Sequence, residues 1–427
     1  MTILILGATG FIGQQVLLTL SQAGHPVTGL GRDTRQASAR FPAAAWIARD
    51  LRTLRQAADW HPLLDNVTAV VNCAGALQDG LRDDLAAVQR DAMLALQQAV
   101  ATHATPPLII QISAPENLAS AGTAFMATKL EADRALAASG IPHVILRPTV
   151  VVGRNAYGGT ALLRAIASFP GVLPLVDAES PMNAVHVRDV RQAVLDAVEG
   201  RIAPGSDLVL AGEPTRSVEQ MARFYRRWLG LADAPVIRLP SGIARPLSFG
   251  ADLAGCLGWR SPLRSTAIRI SGIGVAPEKD RPTLTAPDPT LRLATEPAAV
   301  QDLWFARLYL LKPVMIVTLS LFWIVSGLVP LLDPVTTSLR FGASMPAGVA
   351  LTVTILTSLL DIALGLAILV QPWAKRAMFG MIAVSLAYLA GGTLIEPTLW
   401  LDPLGPLVKV LPSILLTLAT LAVLEER

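Results

Sequence analysis

Residues 2–6, TILIL, form an apolar run of strand length that stops on Gly7, and residues 14–23 follow at once with helical spacing. The same alternation recurs down the first half of the chain. Short runs at 26–30, 46–48, 67–71, 108–112 and 141–146 read as strands, and amphipathic stretches lie between or after them. Residues 67–71 are all β-branched or small, as a strand covered on both faces should be. Residues 84–103 put Leu85, Val88, Met93, Leu96 and Val100 on one helical face. Strands alternating with helices predict an α/β, doubly wound parallel sheet. Further on, 191–199 and 218–229 read as helices. Residues 231–300 are rich in Arg, Pro and Gly and predict a small C-terminal lobe, with 277–297 as an extended, proline-rich connector. An amphipathic stretch at 243–257 suits that lobe better than a helix lying on a bilayer. After a helix at 298–311 the rhythm changes. Four apolar segments of spanning length, 313–332, 346–370, 377–395 and 404–424, predict an all-α four-helix transmembrane bundle. The expected division is therefore 1–230, 231–300 and 301–427.

Composition sharpens this picture. Hydrophobic residues make up 52% and charged residues 16%, with mean hydropathy +0.50, and most of the charge lies before about residue 312. A soluble part is joined to a membrane part. The net charge of +3 comes without any block of Lys or Arg, which excludes a nucleic-acid partner. The two cysteines, Cys73 and Cys256, lie far apart with no Cys-His cluster, so a reducing compartment and no metal site are expected. The glycines at 7, 10 and 13 interrupt the N-terminal apolar run, which is not a signal peptide. Folding then starts in the cytoplasm. Lys375 and Arg376 fall in a cytoplasmic second loop, Glu396 and Asp402 in an external third loop, and both termini face inward. That predicts a multi-pass protein of the cell inner (plasma) membrane with a cytoplasmic N-terminal domain, and it sets Arg340 and Arg427 on opposite sides. Asp361 falls mid-span in the second segment and Lys409 early in the fourth; an intramembrane carboxylate is a functional candidate by default.

The chemistry begins at Gly7-Ala8-Thr9-Gly10-Phe11-Ile12-Gly13. A glycine-rich turn between a strand and a helix N-terminus offers free N–H groups and a partial positive charge to a pyrophosphate. Gly7 turns the chain, Gly10 admits the phosphates and Gly13 lets the helix pack closely. At the tip of the second strand stands Arg32, which suits a 2′-phosphate and so favours NADP, with NAD as the alternative. Ser113 is delivered at the C-terminal end of the fifth strand.

The G-x-x-G-x-x-G spacing with these fillers resembles the extended and atypical short-chain dehydrogenase/reductases, whose NAD(P)-binding domain is of the Rossmann type. Phe125-Met-Ala-Thr-Lys129 at the catalytic helix, Arg147-Pro148-Thr149, Val150-Val-Val-Gly153 and the stretch from Asn183 through His186 to Val190 carry the likeness over about residues 1–230. The resemblance implies cofactor contacts at Gly7, Thr9, Gly10, Phe11, Ile12, Gly13, Arg32, Asp50, Ala74, Gly75, Lys129 and Pro148, and catalytic roles for Ser113 and Lys129. One position departs from it. Where the family carries a tyrosine that passes a proton, this chain has Phe125, and a phenyl ring passes none. The likeness extends to tyrosine-less members such as the NADPH-binding accessory subunit of respiratory complex I. The C-terminal helices resemble a DoxX-like domain fused behind.

Two functions follow as expectations. One is an NADPH-dependent oxidoreductase tethered to the lipid bilayer and acting on a lipid-soluble carbonyl or quinone. The other is a non-catalytic NADPH-binding module that stabilises or regulates a membrane protein partner, a reading Phe125 favours. His186, on an apolar strand, reads as structural rather than as a base.

Overall fold

Eight strands form one sheet in a computed structural model that describes residues 1–76, 78–81, 83–339, 345–403 and 405–425. They are β1 (Thr2–Leu6), β2 (Val27–Gly31), β3 (Ala45–Ala48), β4 (Val67–Asn72), β5 (Leu108–Ile112), β6 (His143–Pro148), β7 (Ser206–Gly212) and β8 (Thr283–Ala286). Their order is β8-β7-β6-β5-β4-β1-β2-β3, and every neighbouring pair is parallel. The order reverses between β1 and β4, which puts a crevice outside the carboxyl ends of those two strands. Both faces are covered. Ile3 and Ile5 of β1 join one apolar cluster with Val16, Leu17 and Leu20 of α1 (Phe11–Gln22). Leu4 and Leu6 point the other way, into a cluster with Met93, Leu96 and Leu136. That is the period-2 alternation of a strand buried on both sides.

The sheet is wider than the sequence pattern predicts. Residues 277–297 are not merely a connector: β8 lies within them as an edge strand on β7, and a short helix, Pro289–Ala294, follows. Proline suits this edge because it lacks only the donor. The Pro282 carbonyl accepts from Val209 N at 3.0 Å. α3 (Val187–Val198) packs beside α1 on the first face, and α2 (Ala124–Ala138) covers the second.

By contacts the chain divides into two units: residues 1–252 with 261–306, and residues 253–260 with 307–426. Three helices, α4 (Val300–Leu332, which enters the second unit at Arg307), α5 (Ala347–Ala367) and α6 (Gln371–Ile395), are long and apolar enough to cross a membrane. The helix expected at 298–311 and the first apolar segment are thus one helix, running through Pro313. The fourth segment gives the shorter α7 (Val410–Ala422), 13 residues or roughly 20 Å. Pro403, Gly405 and Pro406 hold its start back, and Lys409 becomes its N-cap residue. Lys375 and Arg376 fall in the early turns of α6 rather than in a loop. Leu404, Arg340 and Arg427 lie outside the described residues.

Close approach holds this unit together. A Cβ on Gly327 of α4 would sit 2.3 Å from the Ser358 carbonyl of α5, and one on Gly365 would sit 2.7 Å from Ile324 Cγ1. Ser320 Oγ donates to the Gly365 carbonyl at 2.7 Å. Trp259 Nε1 caps the carbonyl of Leu369 at 2.6 Å and Gln371 N donates to Leu257 O at 3.0 Å, which ties the 253–260 segment to the helices.

Candidate functional site

The turn after β1 shows why three glycines stand where they do. Gly7 has φ +69°, and a Cβ there would lie 2.8 Å from Ala74 Cα, in the turn that leaves β4. A Cβ on Gly13 would lie 2.2 Å from the Gly7 carbonyl, so α1 starts against the turn itself. Gly10 differs: its Cβ would meet only the Gly7 carbonyl, at 3.1 Å, and otherwise open space. Gly10 also caps α1 with no side-chain acceptor, and the first turn carries no acid. An uncapped, acid-free helix start facing open space fits a bound pyrophosphate. Thr9 and Gln14 shape the turn, since Gln14 Nε2 donates to the Thr9 carbonyl at 2.7 Å. Phe11 stacks on Tyr157 at 6.4 Å between ring centroids, and Ile12 packs against the sheet cluster.

Arg32 follows β2 directly and pairs with Asp83 at 3.3 Å. Asp50 is an N-cap: its carboxylate takes the backbone N–H of Arg52 at 3.0 Å and that residue's guanidinium at 2.6 Å. The Arg52 contacts account for its lowered pKa against a burial effect that pushes upward.

At the crevice the turn Asn72–Gly75 meets α2. Asn72, 2% exposed, folds its Oδ1 back onto Ala74 N at 3.0 Å and donates to Gln111 at 2.9 Å. A Cβ on Gly75 would stand 3.8 Å from Lys129 Nζ and 3.5 Å from Gln89 Nε2. Gln89 sits in a π-helical turn, Ala86–Asp91, and ties three pieces together. It donates to Ala76 O at 2.6 Å and accepts from Thr128 Oγ1 at 3.0 Å. Lys129 is 6% exposed. Burial pulls its pKa down, and Asp133, one turn on along α2, opposes that.

Ser113 Oγ donates to Asp133 Oδ2. Arg147 of β6 donates to the same oxygen at 2.9 Å and to the Ala114 carbonyl at 3.1 Å. Its other side makes a two-pronged pair with Asp207 of β7, at 2.7 and 3.0 Å. Asp207 also holds Arg281, which reaches Glu116 and Glu278. Burial pushes the Asp133 carboxyl up, with Arg147 and Lys129 acting against it. Cys73, beside Lys129, has its thiol pushed up to about 12 by burial.

Phe125 lies one turn before Lys129 and packs with Ala114, Leu118, Met126, Leu130 and Val275. The structure thus brings Gly75, Ser113, Phe125 and Lys129 to one end of the sheet. Pro148 ends β6 opposite Leu210. His186 caps α3 by accepting from Arg188 N at 3.2 Å, and burial with Arg188, Arg292 and Arg191 pulls its pKa down to about 4. Its Nδ1 thus has a structural contact at the start of α3.

Asp133, Asp207 and Arg281 were not singled out by the motif. Asp133 had a signal, since it stands four residues after Lys129 on the same helical face. Asp207 and Arg281 had none, because their partners are far away in sequence. A depression of about 640 Å³ opens on the exposed side of α2, lined by Thr123, Ala127, Glu131 and Arg134. Lys129, buried on the helix's inner side, does not line it.

Residues 3–211 match the NAD dependent epimerase/dehydratase family, and residues 320–418 match the DoxX-like family. A 3-diazoavenalumate denitrifying reductase from a Streptomyces species is 29% identical over 319 residues, covering 66% of this chain and 95% of that protein. Among solved structures, gox2253 is 22% identical over 65% of this chain and 90% of its own, with a TM-score of 0.50, which shows the shared fold. The dTDP-glucose 4,6-dehydratase of Bacillus anthracis str. Ames, solved in complex with NAD, is 16% identical over 56% of this chain and 84% of its own, at a TM-score of 0.48.

Proposed function

We propose that this chain, which joins an extended short-chain dehydrogenase/reductase domain of the NAD dependent epimerase/dehydratase kind to a DoxX-like membrane domain, is a membrane-associated oxidoreductase using a nicotinamide dinucleotide. The observation that carries the reading is the buried Lys129 against Gly75, between the glycine turn and Ser113. Gly7, Thr9, Gly10, Phe11, Ile12 and Gly13 would hold the pyrophosphate, and Ala74, Gly75, Lys129 and Pro148 the nicotinamide half. Asp50, occupied with Arg52, would reach the adenine only by its outer edge. Bound there, the cofactor would supply hydride. Arg32 supports NADP over NAD, since it follows β2 at the position that suits a 2′-phosphate, and its pairing with Asp83 could be exchanged for a doubly charged ligand. The reductase relative supports reduction as the direction. Three long apolar helices and the DoxX-like match support a multi-pass place in the plasma membrane, with residues 1–230 cytoplasmic and a lipid-soluble carbonyl or quinone as substrate.

Phe125 favours a second reading, a non-catalytic NADPH-binding module serving a membrane assembly. Titration of the full-length protein in nanodiscs with NADPH and NADH, followed by cofactor fluorescence, tests what both readings share. NADPH should bind more tightly, and Arg32→Asp should reverse the preference. An unchanged preference would remove Arg32 from the site, and no binding of either form would remove the site.

A further inference from the structure

The amphipathic stretch expected in the small lobe forms a helix, Ser241–Cys256, whose two sides are held differently. By helical spacing Arg245, Ser248 and Asp252 share one side. Asp252 anchors it. Its Oδ1 accepts from Gln78 Nε2 at 2.9 Å and from Arg264 Nε at 3.2 Å, and Arg264 donates onward to the Asp79 carbonyl at 2.7 Å. Gln78 and Asp79 belong to the loop that follows Gly75. The opposite side is apolar and bare. Ile243, Leu247, Phe249 and Leu253 fall within an arc of about 160°, and all four are exposed, Phe249 at 74%. A helix of a globular lobe turns such residues into a core. This one turns its carboxylate inward and its large apolar side chains out, which marks a surface that something covers.

What covers it follows from where the helix ends. Residues 253–260 group with the apolar helices. There Leu257 O accepts from Gln371 N and Trp259 Nε1 donates to Leu369 O, where α5 ends and α6 begins. The Trp259 ring also lies 5.8 Å from Nζ of Lys312, which stands just before the apolar stretch of α4. Lys375 and Arg376 are in the early turns of α6. Tryptophan and basic residues gathered at the ends of apolar helices mark the headgroup level of a bilayer. Crossing the bilayer is not open to this helix. Its 16 residues reach roughly 24 Å against about 30 Å of hydrocarbon, and Arg245 and Asp252 would have to enter. Arg245 stands one turn before Phe249 at the edge of the apolar arc, the place for a cation that meets lipid phosphate.

We propose that Ser241–Cys256 lies in the plane of the bilayer surface, with Ile243, Leu247, Phe249 and Leu253 among the lipids and Ser248 and Asp252 turned away. This rests on the membrane placement of α4 to α6 proposed above. Lipid is the occupant because the helix continues from the level at which α5 ends, and its own arginine borders the apolar face.

The test uses full-length protein in phosphatidylcholine–phosphatidylglycerol nanodiscs, with a fluorescent label on one introduced cysteine at a time. Cys256→Ser removes the exposed native thiol, and Cys73, its thiol pushed up to about 12 by burial, reacts far more slowly. The probes are lipids brominated near the headgroup or near the chain ends, which quench a label they touch. Labels at Ile243→Cys and Leu253→Cys stand about 15 Å apart along the helix axis. Both should be quenched about twofold or more by the shallow bromines and less by the deep ones, since an interfacial face sits about 5–10 Å into the headgroup boundary. A label at Ser248→Cys should keep its fluorescence. Leu359→Cys, on the exposed side of α5, is the reference for the membrane placement. An unquenched label there overturns that placement and this proposal with it. With the Leu359 site quenched, unquenched labels at both Ile243 and Leu253 overturn the surface helix alone. Labels shielded from aqueous iodide but untouched by bromine overturn lipid as the occupant, in favour of a second copy or another protein. Equal quenching at Ile243, Ser248 and Leu253 overturns the assignment of the face.

Discussion

The two units solve burial in opposite ways. In the sheet unit the buried positions of β1 are Ile3, Leu4, Ile5 and Leu6, each at 2% exposure or less. In the helical unit the buried positions of α5 are Ala350, Thr354, Ser358, Asp361 and Gly365, while Leu356, Leu359, Leu360 and Leu366 face outward. Water sorts the first unit, and each buried leucine there is worth about 1.5–3 kcal/mol. A bilayer gives no such reward for burying leucine, because lipid tails are equally apolar. Small residues and hydroxyls then line the buried face of α5, through close helix contact and hydrogen bonds, beside an apolar cluster of Ile316, Leu319, Trp323, Ile368 and Met378. The charges follow the same division. The sheet unit buries a network centred on Arg147 with two carboxylates, whereas Asp361 is held by two neutral hydroxyls, Tyr388 at 2.8 Å and Ser326 at 3.3 Å.

The largest expected effect tests the network. Arg147→Leu would leave Asp133, 1% exposed, with no guanidinium beside it and would leave Asp207 with Arg281. Removing one partner of a buried pair costs about 3–5 kcal/mol. Hydrogen exchange should report the loss in β5, β6 and β7 and leave α4 to α6 protected as before. A cost below about 1 kcal/mol would mean that the network is replaceable packing.

Acid offers the next contrast, because all five histidines of the chain lie in the sheet unit. The folded-state pKa of His186 is lowered to about 4, below an unfolded value near 6.5. The unfolded chain therefore binds the proton first. Stability is full above about pH 6.5 and falls as pH drops through the window to about 4, by roughly 3 kcal/mol at most. His186→Asn keeps a good N-cap and removes the titration. Urea unfolding of the sheet unit should then be flatter between pH 6.5 and 4, with the helical unit unaffected in both proteins. An equal slope in the variant would acquit the imidazole.

How much of this was legible depended on whether the cause was local. The glycine turn, the first six strands and the apolar segments declare themselves in runs of a few residues. Gly13 was read as allowing close packing, and its contact proves to be the Gly7 carbonyl. The edge strand β8 and its neighbour β7 were not legible. β8 reads as a proline-rich connector until β7 supplies its donors. At the site, Ser113 and Lys129 were visible from the motif, but Ser113's commitment to Asp133 needs β5 and α2 to be packed first. The polar face of α5 was in the sequence, as Thr354, Ser358 and Asp361 at helical spacing. Without knowing the solvent, such a face reads equally as outside or inside.

The smallest effect bears most directly on the contrast between the units. Tyr388→Phe removes one hydroxyl from Asp361 and keeps the ring, leaving Ser326 as its partner. In a water-soluble core, a polar group left unsatisfied costs about 1–3 kcal/mol. In a membrane the expected cost is only about 0.6 kcal/mol, and at most about 1.7, because the unfolded helix in lipid finds other partners. SDS titration of the full-length protein in mixed micelles, followed by a probe on α6, would measure it. The cycle with Asp361→Asn isolates the pair, since the two residues touch and their effects should not add. A coupling near 0.6 kcal/mol makes Tyr388–Asp361 one of many small interhelical bonds, and the bundle then rests on Gly327 and Gly365. A coupling well above 2 kcal/mol would mean that Asp361 is charged and dry, and the two interiors would no longer follow different rules.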